Sequence, residues 1–136
     1  MGNPGSERRK SKRTKANFTI IYDVHKSVSM DVSLAGQEVD ALMMDLGKEG
    51  LAITTNYEIP IASILNMKFT LINRRAQDKN NKSRSIYIMG EVRSSIRLEN
   101  GEYRLGIHFI QLKDEDAKAI DNFVEAMSSP PKNDEG

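Results

Sequence analysis

Apolar and polar positions alternate with period two through most of this chain, and that pattern predicts a protein built of strands. Phe18, Ile20, Tyr22 and Val24 alternate with Asn17, Thr19, Ile21 and Asp23, which gives the first strand one face in a core. Residues 25–36 lack a firm pattern, although Val28, Met30 and Val32 suggest a short strand and Gly36 a turn. Val39 to Leu46 is an apolar run ending in Leu42-Met43-Met44-Asp45-Leu46, a strand that enters a turn with glycines. Leu51-Ala52-Ile53-Thr54 leaves that turn as another strand, and Pro60 breaks the stretch beyond it. Met67, Phe69 and Leu71 share a face of the next strand, and Asn73 to Ser85 reads as a polar loop rich in Lys and Arg. Ile86, Ile88, Gly90 and Val92 then alternate with Tyr87, Met89 and Glu91, and Leu105, Ile107 and Phe109 alternate with Arg104, Gly106 and His108. The hairpin signal Glu99-Asn100-Gly101-Glu102 lies between those two runs, so they pair antiparallel.

One segment changes period. Ala117, Ile120, Phe123, Val124 and Met127 recur at spacings of three and four, the mark of an amphipathic helix. Asp114, Glu115 and Asp116 precede them, where a helix N-terminus favours negative charge. Six or seven short strands followed by one helix make a small closed barrel or sandwich with a helical lid.

Length and composition narrow the class. At 136 residues the chain is a single domain by length, and 38% apolar with 29% charged residues suits a globular protein. The boundaries expected are a disordered stretch over 1–7, a domain over 8–127 and a disordered tail over 128–136. Nothing approaches the roughly 18 apolar residues that span a bilayer, and the N-terminus has no apolar core after its charges, so no signal peptide is expected. The absence of cysteine removes disulfides, thiol nucleophiles and thiolate metal sites, and a reducing cytoplasm fits. Charge is uneven: residues 1–15 hold six Lys/Arg against one Glu, about +5, which leaves about −4 for the remainder of a chain with net charge +1. The beginning of the chain is where an anion is attracted.

Two stretches carry chemistry when taken together. Arg9 and Arg13 stand four apart in Glu7-Arg8-Arg9-Lys10-Ser11-Lys12-Arg13, on one face of an extended or helical segment. Their planar forks suit a phosphate or the O6/N7 edge of guanine. Asp45 is acceptor-only when ionised and matches the N1–H and amino group of a guanine. Gly47 and Gly50 allow positive φ and close backbone approach in the turn beyond it. Other chemistries lack residues. His25 and His108 are the two histidines, neither with carboxylates at metal spacing, and His108 is out of phase with its apolar neighbours. No G-x-S-x-G elbow occurs, and Gly47-Lys48 lacks the upstream glycine and hydroxyl of a phosphate loop. The seven methionines read as core filler. No enzyme, cofactor or metal site is expected.

These stretches resemble the motifs of the PilZ family, the bacterial receptors for cyclic di-GMP. Arg9-Lys10-Ser11-Lys12-Arg13 matches that family's R-x-x-x-R in full, and Asp45-Leu46-Gly47-Lys48-Glu49-Gly50 matches its [D/N]-x-S-x-x-G except that Gly47 replaces serine. Tyr103-Arg104-Leu105-Gly106-Ile107-His108-Phe109 is similar to the family's late strand, and the resemblance covers roughly residues 8–127. It implies an all-β, six-stranded antiparallel barrel with a C-terminal helix and cyclic di-GMP held against its outside. It implies that Arg9 and Arg13 grip the ligand while Asp45, Gly47 and Gly50 hold it from the other side. Arg8, an extra arginine before the motif, implies a stacked pair of ligand molecules. Binding would order a flexible basic segment over 8–15 and signal to a partner protein not identified by the sequence, with no DNA, RNA or membrane insertion expected. Two alternatives stay open. Loss of the serine hydroxyl at Gly47 would leave a protein-interaction adaptor with weak or lost binding. An OB-like barrel would bind RNA through its basic segments, but four Tyr, four Phe and no Trp offer few stacking groups.

Overall fold

The computed structural model describes residues 13–27, 36–72 and 83–128. Six strands, β1 (Arg13–Lys26), β2 (Val39–Gly47), β3 (Gly50–Thr55), β4 (Ile64–Ile72), β5 (Ser83–Arg97) and β6 (Tyr103–Ile110), precede one helix, α1 (Asp114–Ser128). Each strand pairs antiparallel with its neighbours, and the ring closes in the order β1-β2-β3-β6-β5-β4. The fold is therefore the expected six-stranded antiparallel barrel with a C-terminal helix.

The period-two pattern explains which side chains fill it. Ile20 and Tyr22 from β1, Leu51 and Ile53 from β3, Leu65 and Met67 from β4, and Leu105 and Ile107 from β6 all point inward and are buried. Burial of this kind contributes about 1.5–3 kcal/mol for each large apolar side chain. Tyr22 carries a polar tip into this interior, and its hydroxyl lies 2.8 Å from that of Thr55. Burial raises the Tyr22 pKa above its ordinary 10.0; the Thr55 hydrogen bond opposes that shift, and nearby Tyr57 adds a little to it.

The helix packs against β1, β2 and β4. Ile120, Phe123 and Val124 are buried beneath it, and the Phe123 ring meets Phe18 edge-on at 6.1 Å between centroids. Met127, at the end of the same stripe, is 57% exposed. Asp116, in the first turn of α1, accepts from Arg84 of β5 at 3.1 and 3.3 Å. This pins the acidic end of the helix to the barrel wall.

Two sequence expectations shift. The polar loop expected to run to Ser85 stops earlier, because Ser83-Arg84-Ser85 already pairs with Thr70, Leu71 and Ile72 of β4. Those residues have no apolar alternation of their own, so their partner strand places them. Residues 13–15, expected in a flexible segment, form the first rungs of the β1–β2 ladder, with Arg13 opposite Gly47 and Lys15 opposite Asp45. The suggested strand at Val28, Met30 and Val32 lies outside the described residues, as do 1–12, 73–82 and 129–136.

Candidate functional site

The link between β2 and β3 is short: Lys48 and Glu49 separate Gly47 from Gly50. Neither flanking glycine has the positive φ expected of it; Gly36 and Gly101 are the glycines in that region among the described residues. Gly50 serves the other purpose, close approach. A Cβ at Gly50 would lie 2.1 Å from the Ile107 carbonyl oxygen on β6, so a side chain there would force β3 and β6 apart. That tight seam brings β6 within reach of the β2 carboxylate.

Asp45 is the centre of the site. Arg13 donates to its Oδ1 through Nε at 2.9 Å and also through Nη2. Arg104 donates through Nη2 to Oδ2 at 2.9 Å. The carboxylate is 15% exposed, Arg13 25% and Arg104 38%, so the cluster is half-sheltered on the outer wall. One anion between two guanidiniums leaves a net charge of about +1, and each fork keeps N–H donors that Asp45 does not take.

The register explains how three distant residues meet. Arg13 and Asp45 sit diagonally across the β1–β2 pair, since Arg13 faces Gly47 and Lys15 faces Asp45. On the other side Asp45 faces Ala52 of β3, and Ala52 faces Gly106 of β6. Arg104, two residues from Gly106, therefore reaches over β3 to Asp45, across two strand spacings or about 9.6 Å. Ala52 is small and 4% exposed, which keeps that path low over the sheet.

Beside this cluster the wall has a shallow depression of about 220 Å³ bordered by Arg13, Glu49, Gly50, Arg93, Gly106 and His108. Arg93 is held by Glu91 at 3.1 Å, and His108 is exposed, as its phase in the strand predicts. A Cβ at Gly106 would come within 2.4 Å of the Ser94 hydroxyl, so the floor there is bare backbone. A larger groove of about 480 Å³ lies over β1, β4 and β5 and touches none of the motif residues.

Of the residues singled out from the sequence, Arg13, Asp45, Gly47 and Gly50 come together at one end of the β1–β2–β3 wall. Arg8 and Arg9 lie outside the described residues. Arg104, Arg93 and His108 were not named as ligand-binding residues, since their nearness to Asp45 or Arg13 depends on how β6 pairs with β3 and β5. Among the described residues no group of His, Cys, Asp or Glu could hold a metal, and no helix is long and apolar enough to cross a membrane.

Comparison with known proteins agrees with this picture. The PilZ domain family model matches residues 7–126. Among solved structures, the Bacillus subtilis inhibitor of motility MotI/DgrA superposes with a TM-score of 0.66 at 14% identity, over 86% of this chain and 49% of that one. The PilZ domain of YcgR from Escherichia coli, solved with c-di-GMP, gives 0.57 at 10% identity over 88% and 91%. The K. pneumonia MrkH–c-di-GMP complex gives 0.56 at 14% identity over 86% and 50%. This chain thus spans about half the length of MotI and MrkH, and at these identities the likeness is one of fold. No curated protein matches the sequence.

Proposed function

The chain belongs to the PilZ domain family, and from that membership we propose that it is a receptor for cyclic di-GMP. The observation that carries the reading is the Arg13–Asp45–Arg104 cluster on the outer barrel wall. Cyclic di-GMP presents two phosphates and two guanine edges, and the cluster offers matching chemistry: guanidinium forks for the anion and the O6/N7 edge, and a carboxylate for N1–H and the amino group. Arg9 and Arg13 grip the ligand in this reading, Asp45 accepts from a guanine, and Gly47 and Gly50 let the backbone lie close. Arg8 supplies the extra cation for a second, stacked ligand molecule. Neighbouring PilZ structures solved with c-di-GMP support the choice of ligand.

The domain acts as a binding module over residues 8–127 and not as an enzyme, and it works in the cytoplasm. Ligand binding draws the basic segment onto the wall and changes the surface that a partner protein meets. A titration of amide chemical shifts with cyclic di-GMP tests the proposal. Shifts centred on Arg13, Asp45, Gly47 and Gly50 are expected. No shift at high micromolar ligand would leave the adaptor reading, in which Gly47 has cost the site its ligand.

A further inference from the structure

We infer that Arg104 is a positioning residue: it holds Asp45 in the orientation that reads a guanine, and so sets the choice of base. The inference rests on the cyclic di-GMP reading and deepens it. In the structure Arg13 spends both Nε and Nη2 on Asp45 Oδ1, while Arg104 takes Oδ2 through a single Nη2. Arg13 thus fills both acceptor positions of Oδ1, so if that oxygen is to accept from a guanine, those donors have to leave the carboxylate. Arg104 is then the group that keeps Asp45 in place.

The two arginines differ in how firmly the fold holds them. Arg13 is the first residue of β1. Arg104 is the second residue of β6 but is paired on both sides, with Thr54 of β3 on one and Ile96 of β5 on the other. Its backbone is fixed by two neighbouring strands, so its side chain reaches Asp45 from a rigid base. The lone-pair count fits as well. A carboxylate has about four acceptor positions, and Arg104 occupies one on Oδ2, which leaves that oxygen free to accept a second N–H. Once Arg13 has left, Oδ1 and Oδ2 together match the N1–H and amino pair of a guanine.

Charge gives Arg104 a second part in the same task. The ligand is a dianion, and an ionised Asp45 facing it alone would repel it. With Arg104 bonded to Oδ2 the pair is neutral, and the carboxylate can act as an acceptor without opposing the phosphates.

The test is a binding titration of wild type, Arg104→Met and Arg104→Lys with two ligands, cyclic di-GMP and cyclic di-IMP. The second ligand keeps N1–H and O6 but lacks the amino group that Asp45 would read. Thermal melts of each variant confirm folding, which is expected because Arg104 is 38% exposed. Arg104→Met is expected to weaken cyclic di-GMP about tenfold, the loss of one charged hydrogen bond, and to shrink the preference for cyclic di-GMP over cyclic di-IMP several-fold. Arg104→Lys keeps the charge and is expected to recover part of the affinity. A preference unchanged in both variants, whether or not both ligands weaken together, would overturn the positioning role and leave the receptor reading standing. Absence of binding by wild type would overturn both.

Discussion

Two carboxylates on this barrel are nearly equally sheltered, and in the proposed reading they do opposite jobs. Asp45 is 15% exposed and Asp116 11%, and each accepts from arginine through charged hydrogen bonds. Asp116 has one guanidinium, Arg84, so the pair is neutral and ties α1 to β5. Asp45 has two, Arg13 and Arg104, so that three-residue cluster carries one positive charge in excess, with Glu49 on the rim of the depression beside it. Burial does not separate a structural ion pair from the proposed binding site here. The excess of cation does, because an unmatched half-exposed charge is repaid when an anion arrives.

Removing the surplus cation should break the comparison most sharply. Arg13→Ala deletes the fork that grips the ligand in the proposed reading, and with it about two charged hydrogen bonds of roughly 1.5 kcal/mol each. Affinity for cyclic di-GMP is expected to fall about a hundredfold by calorimetry, with a melting temperature close to wild type. Asp116→Ala should do the reverse. It frees the acidic end of α1 and leaves Arg84 without its acceptor. Because Arg84 is 45% exposed, the cost is held to about 1 kcal/mol. Chemical denaturation should register that loss while the ligand affinity stays at the wild-type value. A drop in affinity in Asp116→Ala would show that the helix end and the binding wall are coupled, and the contrast would fail.

Gly47→Ser sharpens the Asp45 side. Gly47 is buried at the end of β2, opposite Arg13, and has no positive φ, so serine suits its backbone. The added hydroxyl restores a donor and acceptor worth up to about 1 kcal/mol, a several-fold gain in affinity. Binding that appears only in this variant would favour the adaptor reading instead.

How much of this was legible in the sequence follows from the range of each contact. The strands were legible because their alternation is local: Phe18, Ile20 and Tyr22 announce an inner face without reference to any other strand. Arg13 and Asp45 were legible as members of two motifs, though not as an ion pair. Arg104 was not, because its contact to Asp45 spans 59 positions and crosses an intervening strand. No local pattern encodes a β3–β6 register. Of the two uses read for Gly50, positive φ and close backbone approach, the structure shows the second, although the backbone it admits is the Ile107 carbonyl of β6, which no local pattern announces. The start of β5 was missed for a related cause, since Ser83-Arg84-Ser85 becomes strand only through β4.

The smallest effect extends the comparison to a buried pair with no charge at all. Tyr22 and Thr55 share a hydrogen bond inside the barrel, 2.8 Å long, where neither pairs with an ion. Tyr22→Phe removes that bond and leaves the Thr55 hydroxyl to find another partner, at a cost of about 1 kcal/mol or less near neutral pH. The pH dependence is more diagnostic than the cost. Burial raises the Tyr22 pKa above 10.0, so between 10.0 and the folded value the native state keeps a proton that the unfolded chain has lost. Stability that this tyrosine contributes is fully present below pH 10 and is lost as pH rises through the folded pKa, at up to about 1.4 kcal/mol per pH unit. Melting curves above pH 10 should therefore fall more steeply for wild type than for Tyr22→Phe, and the two should converge. Parallel curves would mean that the hydroxyl is open to solvent, and would remove this uncharged pair from the contrast between Asp45 and Asp116.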